Sequence, residues 1–207
     1  MPRIVDHDAR RREIAAALWR VVRTAGVHDT SVRTVAAEAG WSAGALRHYF
    51  PTQEALFAFA LQLMTEQTGA RVRGLLEHEQ GDALERGAQL VEQFLPLDET
   101  RRGECLVWYA FADRARLDAV LSDVRESGWH GTRYVARIVT ADLTGTDRPA
   151  GLRAELADRD AEERAGRLHV LIDGWAVQGI SYPDVVTAAS LSAQVRAELS
   201  QTLPRQT

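Results

Sequence analysis

Apolar residues recur at helical spacing along almost the whole chain, and the alternating pattern that forms strands is nearly absent. The prolines fall between the periodic segments, at positions 2, 51, 96, 149, 183 and 204. Proline breaks a helix interior because it lacks an amide donor and clashes with the preceding turn. The pattern therefore predicts an all-α fold.

The ends of the predicted helices are set by capping residues. Gly26 ends the first helix, Ser31 can cap the second, and Thr52 can cap a long fourth helix after Pro51. The stretch from Thr144 to Gly151 is the longest predicted loop. The predicted helices cover about 8–25, 31–40, 42–50, 53–79, 83–95, 99–115, 117–142, 158–181 and 185–202.

The composition is that of a globular protein rather than a membrane or secreted one. Of 207 residues, 45% are hydrophobic and 26% charged, and no apolar run approaches the ~20 residues of a membrane span. The N-terminus lacks an apolar signal segment, and Cys105, the single cysteine, has no partner for a disulfide within the chain. We therefore expect a cytoplasmic protein.

The charged residues narrow the function classes further. All 25 basic residues are arginine, which excludes a Schiff-base lysine and a P-loop lysine. Residues 1–60 carry eight arginines against six acidic residues, whereas the remainder carries 17 against 23. The basic segment suggests that the N-terminal part meets a polyanion. The six histidines show no metal-ligand spacing, so we expect neither metal nor cofactor.

A candidate helix-turn-helix occupies the segment from Ser31 to Phe50, which reads S-V-R-T-V-A-A-E-A-G-W-S-A-G-A-L-R-H-Y-F. Ala36 is small where a second helix would cross, Gly40 permits a sharp turn, and Leu46 gives the next helix an apolar face. These are the ingredients of a DNA-reading motif. Any corner between two helices uses the same turn chemistry, so the pattern alone leaves that alternative open.

The first sixty or so residues resemble the DNA-binding domain of TetR-family transcriptional regulators. The resemblance rests on I-A-A-A-L-W-R-V-V-R-T-A-G, on T-S-V-R-T-V-A-A-E-A-G-W-S-A-G-A-L-R-H-Y-F and on T-Q-E-A-L-F. It implies a three-helix DNA-binding domain at 1–52 and a helical ligand-binding and dimerisation domain at 53–207. The segment L-H-V-L-I-D-G-W-A-V-Q-G-I at 168–180 is similar to the first of the family's two dimerisation helices.

Two positions depart from the family pattern. Arg47 stands where the recognition helix usually has an aromatic residue, and Gln53 stands where the fourth helix usually begins with lysine. We expect the recognition helix at 42–50 to enter the major groove, with the basic arm and the preceding helix on the phosphates. The candidate DNA-binding residues are Arg3, Arg10, Arg11, Arg12, Arg33, Thr34, Ser42, Ala43, Gly44, Arg47, His48, Tyr49 and Gln53.

A competing motif overlaps the candidate turn. Residues 40–44 read G-W-S-A-G, which matches the G-x-S-x-G nucleophile elbow of serine hydrolases. That elbow requires a strand before Ser42, whereas the preceding run T-V-A-A-E-A is typical of a helix. The serine is better interpreted as a helix cap, so we expect no enzyme activity.

The C-terminal part carries a candidate dimer interface. The helix at 158–181 is apolar on more than one side, with Val170, Val177 and Ile180 lying off its main stripe, so it needs two partners. We expect those partners to be the core and a second subunit. The predicted interface consists of Leu168, Leu171, Ile172, Trp175, Gly179, Leu191, Val195 and Leu199.

A small-molecule pocket is expected among the aromatic residues of the same part. The family resemblance implies that an effector fills such a pocket and shifts the spacing of the two DNA-reading domains. Charged residues are few there, so we expect an apolar or aromatic effector; a packed core without a cavity is the alternative. The candidate pocket residues are Phe94, Cys105, Trp108, Tyr109, Trp129 and Trp175.

These observations predict a homodimeric, ligand-responsive transcriptional repressor that a small molecule releases from a palindromic operator. A transcriptional activator of the same family and, as a remote alternative, a serine hydrolase remain open at this point.

Overall fold

The computed structural model describes residues 7–26, 29–78, 81–112 and 119–202, and within them the fold is all-α with no strand. The prediction of an all-α fold is confirmed. A 3-10 turn at Glu92–Phe94 extends the fifth helix. The helices are α1 His7–Ala25, α2 Val32–Glu38, α3 Ala43–Tyr49, α4 Gln53–Glu77, α5 Ala83–Val91, α6 Glu99–Ala112, α7 Ala119–Thr144, α8 Arg159–Ser181 and α9 Ala188–Thr202.

The chain forms two compact units. The N-terminal unit comprises Met1–Glu66 and Leu106–Arg125, and the C-terminal unit comprises Gln67–Cys105 and Glu126–Thr207. The sequence placed a boundary at 52/53, where Pro51 separates two helices, whereas these units divide within α4, α6 and α7. The first turns of α4 lie in the N-terminal unit because Leu56 is fully buried in its core.

The core of the N-terminal unit is formed by large apolar side chains from α1, α3, α4 and α6. Leu18, Leu46 and Phe50 are fully buried, and Phe57 packs on Phe111 with 4.1 Å between ring centroids. Each fully buried side chain of this size stabilises the fold by about 1.5–3 kcal/mol. This packing fixes the short helices, which are too short to be stable alone.

Caps and one left-handed glycine define the ends of α2 and α3. The Ser31 hydroxyl accepts the Thr34 amide, and the Thr34 hydroxyl accepts the Ser31 amide in return. Gly40 has φ +71°, a conformation that side chains with a Cβ rarely adopt. The Ser42 hydroxyl then accepts the Ala45 amide at 3.1 Å and caps α3. The predicted turn and both predicted caps are confirmed.

In the C-terminal unit, α5 packs closely on α7 and α9. A Cβ atom at Gly87 would lie 3.0 Å from Val139 and 3.3 Å from Leu199, so the glycine permits this approach. Arg196 of α9 bridges to Glu85 and Glu92 at 3.0 and 2.7 Å.

A partly buried ionic cluster joins α7 to α8 within the same unit. Glu162 accepts hydrogen bonds from Arg133 at 2.9 Å, from Arg137 at 2.7 Å and from the Leu156 amide at 3.1 Å. Burial by itself would raise the pKa of Glu162, but the hydrogen bonds from Arg137, Leu156 and Arg133 outweigh it and lower the pKa to about 2. The Arg133 guanidinium lies across Gly166, where a Cβ atom would be 2.8 Å from Nη1.

Within the described part of the chain, no helix combines the length and the hydropathy needed to cross a membrane.

Candidate nucleic-acid interface

The helix-turn-helix consists of α2, a tight turn and α3. The Gly40 amide donates to the Ala37 carbonyl at 3.1 Å, and the Trp41 amide donates to the Ala36 carbonyl at 2.8 Å, which closes the turn. Of the seven residues of α3, only Leu46 is buried. Ala43 and Tyr49 are half-buried against the core, and Gly44, Ala45, Arg47 and His48 leave an exposed face that is available to a nucleic acid.

The exposed face of α3 carries the cationic side chain that can read a base. Arg47 is exposed and has no hydrogen bond or ion pair to any described residue. His48 is exposed beside it and contacts the edge of Tyr49, with 5.7 Å between ring centroids. Arginine can donate two parallel hydrogen bonds to guanine in the major groove. Arg12 and Arg33 are also exposed, as a phosphate contact requires.

Two of the predicted phosphate contacts instead lie against aromatic rings. The Arg10 guanidinium lies over Trp41, 5.3 Å from the ring centroid, and bonds Glu13 at 2.8 Å. Arg11 lies over the rings of Phe50 and Phe59, at 5.2 and 4.8 Å. Its Nε atom is buried and has no acceptor within the described residues. Arg11 is thus engaged within the N-terminal unit, whereas Arg10 contacts Trp41 and Glu13 at the surface of the unit.

Three further predicted contacts have structural roles in this unit. Gln53 donates from Nε2 to the Thr30 carbonyl at 2.9 Å, which ties the start of α4 to the loop before α2. Thr34 and Ser42 are exposed, but their hydroxyls serve the caps of α2 and α3. Ala43 is half-buried, Gly44 is exposed, and Arg3 lies outside the described residues.

The structure confirms the interpretation of Ser42 as a helix cap rather than as the serine of a nucleophile elbow. Helix α2, rather than a strand, precedes the turn, and Ser42 is the N-cap of α3. A nucleophile elbow places its serine on a strained turn between a strand and a helix. Ser42 therefore stands in a helix-turn-helix, and the match to the hydrolase motif is coincidental.

Seven of the eight predicted dimer residues lie on the buried sides of α8 and α9 within one chain. The eighth, Leu171, is half-buried. The structure corrects the predicted interface on this point, because a side chain in the interior of its own chain offers no surface to a partner. The opposite side of α8 instead exposes Val170 and Val177, with 71% and 41% of their surfaces accessible. The buried residues are Leu168, Ile172, Trp175, Gly179, Leu191, Val195 and Leu199.

The six residues of the predicted effector pocket are divided between the units. Trp108 and Tyr109 belong to the N-terminal unit, where Trp108 packs against the core, and the other four belong to the C-terminal unit. There Trp175 is buried, whereas 49% of Trp129 is exposed beside the His169 ring, with 5.2 Å between centroids. A groove of about 200 Å³ lies elsewhere in the C-terminal unit, and none of the six lines it.

Cys105 behaves as a small buried residue. Its thiol donates to the Phe94 carbonyl at 3.4 Å. Burial raises the pKa of the thiol to about 12. Since the thiolate is the reactive form, this cysteine is chemically inert at neutral pH. The described residues also contain no group of acidic, histidine and cysteine side chains that could hold a metal ion.

The aromatic partners of the arginines, Trp41 for Arg10 and Phe50 with Phe59 for Arg11, were not predicted from the sequence. The spacing of about 30 to 50 residues between each arginine and its ring leaves no periodic signal, so only the folded unit reveals the contacts.

The exposed helix α3, presented by a capped helix-turn-helix, has the architecture of a DNA-binding motif. Comparison with known proteins identifies the family. Residues 14–59 match the family model described as bacterial regulatory proteins of the tetR family, and residues 83–204 match the model described as BetI-type transcriptional repressor, C-terminal. The chain belongs to the TetR family of bacterial DNA-binding transcriptional regulators.

Individual relatives agree with this assignment. The chain is 36% identical over 187 residues to the HTH-type transcriptional regulator PksA of Bacillus subtilis, covering 88% of this chain and 84% of PksA. It superposes with a TM-score of 0.78 on a transcriptional regulator from Rhodococcus sp. Rha1, at 30% identity over 93% of this chain and 95% of that one. A regulator from Saccharomonospora viridis, solved in complex with choline, shares the fold with a TM-score of 0.75 at 23% identity, over 93% of this chain and 96% of that one.

Proposed function

We propose that this chain is a transcriptional repressor that binds a two-fold symmetric operator as a homodimer and is released from it by a small molecule. The observation that carries the DNA-binding part is Arg47, which is exposed on α3 and has no hydrogen-bond or ion-pair partner among the described residues. The match of residues 83–204 to a repressor-type C-terminal model supports repression rather than activation.

Operator binding is tested by selecting genomic fragments that the purified protein retains. We expect an enriched sequence with two inverted half-sites, because a two-fold dimer presents two copies of α3. Binding should weaken steeply as salt rises, since phosphate contacts release counterions. Enrichment of a sequence without internal symmetry would contradict the dimeric operator. A reporter under the selected site distinguishes the two regulatory signs, because a repressor lowers its output and an activator raises it.

The dimer interface that we propose is the outer side of α8 together with that of α9. Val170, Gly174 and Val177 succeed one another at helical spacing on α8, with the two valines strongly exposed. On α9, the side opposite the buried leucines carries the small exposed residues Ala189, Ala193 and Ala197. Small residues let helices approach closely, so the two faces together suit a four-helix interface with a second copy.

Sedimentation of charged variants tests this interface. Val170→Arg with Val177→Arg should convert the dimer to a folded monomer at micromolar concentration, because an arginine cannot be buried there without a partner. Leu152→Arg places the same charge at an exposed loop position and should leave the dimer intact. A double variant that remains dimeric would exclude this face. Leu191→Arg is unsuitable because Leu191 is buried within the chain, and the variant should lose stability instead.

The effector is proposed to be neutral and apolar or aromatic and to bind in the C-terminal unit. The buried carboxylate of Glu104 is already neutralised there, because Arg71 bonds both of its oxygens at 3.0 and 2.7 Å. An organic cation such as choline would have to compete with that guanidinium. A neutral aromatic molecule would instead gain from burial against aromatic side chains.

A thermal-shift screen that contains neutral aromatic compounds, with choline as a separate arm, tests the class of effector. Compounds that raise the melting temperature are then tested for release of operator DNA. Release requires tighter binding to the state that does not bind DNA, and each tenfold preference supplies about 1.4 kcal/mol. Release by choline and by no neutral compound would contradict the proposed class. Tight binding that leaves operator affinity unchanged would contradict induction itself.

A further inference from the structure

The recognition helix has little anchoring of its own. It is seven residues long and buries only Leu46, and isolated helices of this length are not stable in water. Reading a base nevertheless requires that the side chains be held in a defined orientation. The contacts that hold the two ends of α3 are therefore central to its function.

The N-terminal end of α3 is held through Trp41, which directly precedes the N-cap Ser42. The Arg10 guanidinium of α1 lies over the indole at 5.3 Å, and Glu13 holds the same guanidinium at 2.8 Å. The indole in turn meets the ring of Tyr49 edge-on, with 5.3 Å between centroids. A cation over an aromatic face is an attractive arrangement, and tryptophan is the strongest partner.

The C-terminal end of α3 is held through Phe50, its C-cap residue. Arg11, the next residue of α1, lies over Phe50 at 5.2 Å and over Phe59 of α4 at 4.8 Å. Phe50 is fully buried, and the two rings are themselves in contact, with 5.4 Å between centroids. Among the described residues, the buried Nε of Arg11 has no acceptor, so the rings are the principal partners of this guanidinium that the structure shows.

We propose that Arg10 and Arg11 form an arginine clamp, in which two consecutive cations of α1 fix the two ends of the recognition helix through Trp41 and through Phe50 with Phe59. In this role they are positioning residues and not phosphate contacts. The clamp is a feature of the free protein, and only its effect on operator binding rests on the proposed function.

Amide hydrogen exchange of the DNA-free protein tests the clamp directly. Arg11→Ala should speed exchange in α3 by about three- to thirty-fold relative to α1, the range expected for a desolvated cation–aromatic contact. Arg12→Ala is the matched control, because Arg12 is an exposed neighbour on the same helix, and it should leave α3 unchanged. Unchanged exchange in α3 of a folded Arg11→Ala protein would overturn the proposal.

A second pair of variants tests the Trp41 end. Trp41→Phe keeps a ring for Arg10, whereas Trp41→Val removes it. The clamp predicts faster exchange at the first turn of α3 in Trp41→Val and substantial rescue in Trp41→Phe. Equal exchange in the two variants would overturn this half of the proposal.

The salt dependence of DNA binding separates positioning from phosphate contact. A lost phosphate contact reduces the slope of log affinity against log salt by about one, on operator and on random DNA alike. The clamp instead predicts that Arg11→Ala lowers operator affinity, leaves random-DNA affinity nearly unchanged and keeps the wild-type slope. A reduced slope on both DNAs would overturn it.

Arg11→Lys keeps the charge but replaces the flat guanidinium, so it distinguishes charge from stacking. The clamp predicts that lysine fails to restore protection of α3, and full restoration of both exchange and operator affinity would overturn it. If the wild-type protein bound no DNA at all, the proposed function would fail, while hydrogen exchange would still decide the clamp.

Discussion

The two units differ in what holds their arginine side chains. In the C-terminal unit, the guanidinium groups of Arg71, Arg137 and Arg196 are paired with carboxylates at 2.7 to 3.0 Å. In the N-terminal unit, Arg10 and Arg11 lie over aromatic rings, and Arg47 has no described partner. The N-terminal unit also contains two exposed ion pairs, Arg10 with Glu13 and Arg20 with Glu38, but it holds Arg10 and Arg11 on aromatic rings, whereas these three arginines of the C-terminal unit are held by carboxylates.

This difference follows from what each unit does. A surface that meets phosphate gains from cations that carry no carboxylate, since a carboxylate would repel the DNA. A unit that holds buried charges must pair them, since an unpaired buried ion costs several kcal/mol. In the N-terminal unit, aromatic rings hold Arg10 and Arg11. A ring attracts a cation without cancelling its charge, so the cation can still attract phosphate.

The largest effect on stability is expected in the C-terminal unit, when Glu162 loses the charge that pairs it with two arginines. Glu162→Gln leaves Arg133 and Arg137 without their carboxylate, and we expect the free energy of unfolding to fall by about 3 kcal/mol. Denaturant unfolding measures this. Glu163→Gln is the matched control, because Glu163 bonds only the exposed Arg159 and should change stability by less than about 0.5 kcal/mol. Equal losses in both variants would contradict the role of the cluster.

Acid should weaken the same cluster. The folded protein lowers the pKa of Glu162 from an ordinary value near 4.5 to about 2, so its contribution is complete above pH 4.5 and is lost as the pH falls towards 2. The shift corresponds to about 3 kcal/mol. Unfolding measured at pH 6, 4 and 3 should show this loss in the wild type and a smaller one in Glu162→Gln. An identical pH dependence in the two proteins would contradict the assignment of this acid sensitivity to Glu162.

His169 should add to acid sensitivity at higher pH. Burial, with Arg133 and Arg137 nearby, lowers its pKa against the opposing effect of Asp173. A depressed histidine pKa means that stability is complete above the ordinary histidine range and falls as the pH drops through it. His169→Gln should flatten the stability profile between pH 7 and 5, whereas His78→Gln, at an exposed position, should not.

The next largest effect is expected on DNA binding, from Arg47 on the exposed face of α3. Arg47→Ala should weaken operator binding by about 1–3 kcal/mol, the value of one bidentate contact to guanine. Random DNA should lose much less, because it presents no fixed base to this side chain. Titration of both DNAs measures the difference. Equal losses on both would assign Arg47 to phosphate instead.

The smallest effect concerns Gln53, which stands at a position where the family usually carries a lysine. Because its amide donates to the Thr30 carbonyl, Gln53→Ala should lower the free energy of unfolding by about 1 kcal/mol. The salt slope of DNA binding should stay unchanged, because the amide is engaged within the protein. A reduced slope with unchanged stability would show that Gln53 contacts phosphate.

Local features of the chain were predicted accurately from the sequence. These features are the helix caps and the glycine turn, and each depends on residues within four positions of each other. The caps are at Ser31, Ser42 and Thr52, and the turn is at Gly40. Helical periodicity likewise placed most helix ends within a few residues of those observed. The DNA-reading helix followed from these local signals, together with the family resemblance.

Periodicity could not decide which side of α8 is buried. Both the stripe that contains Leu168 and the side that carries Val170 are apolar in sequence, yet only the first lies inside the chain. The choice depends on Pro96 and Leu191, which would lie within 3 Å of a Cβ atom at position 179 and require a glycine there. These contacts join residues that are far apart in sequence, so no local pattern encodes them.

The sequence by itself determined the helices, their caps and the helix-turn-helix, because each depends on neighbouring residues along the chain. Only the tertiary structure decided the partners of the arginines. It placed Arg11 on Phe50 and Phe59 rather than towards phosphate, and it surrounded Glu162 with two guanidinium groups. A charged side chain whose partner lies in a distant segment carries no sequence signal for that partner, because the contact forms only when the two segments fold together.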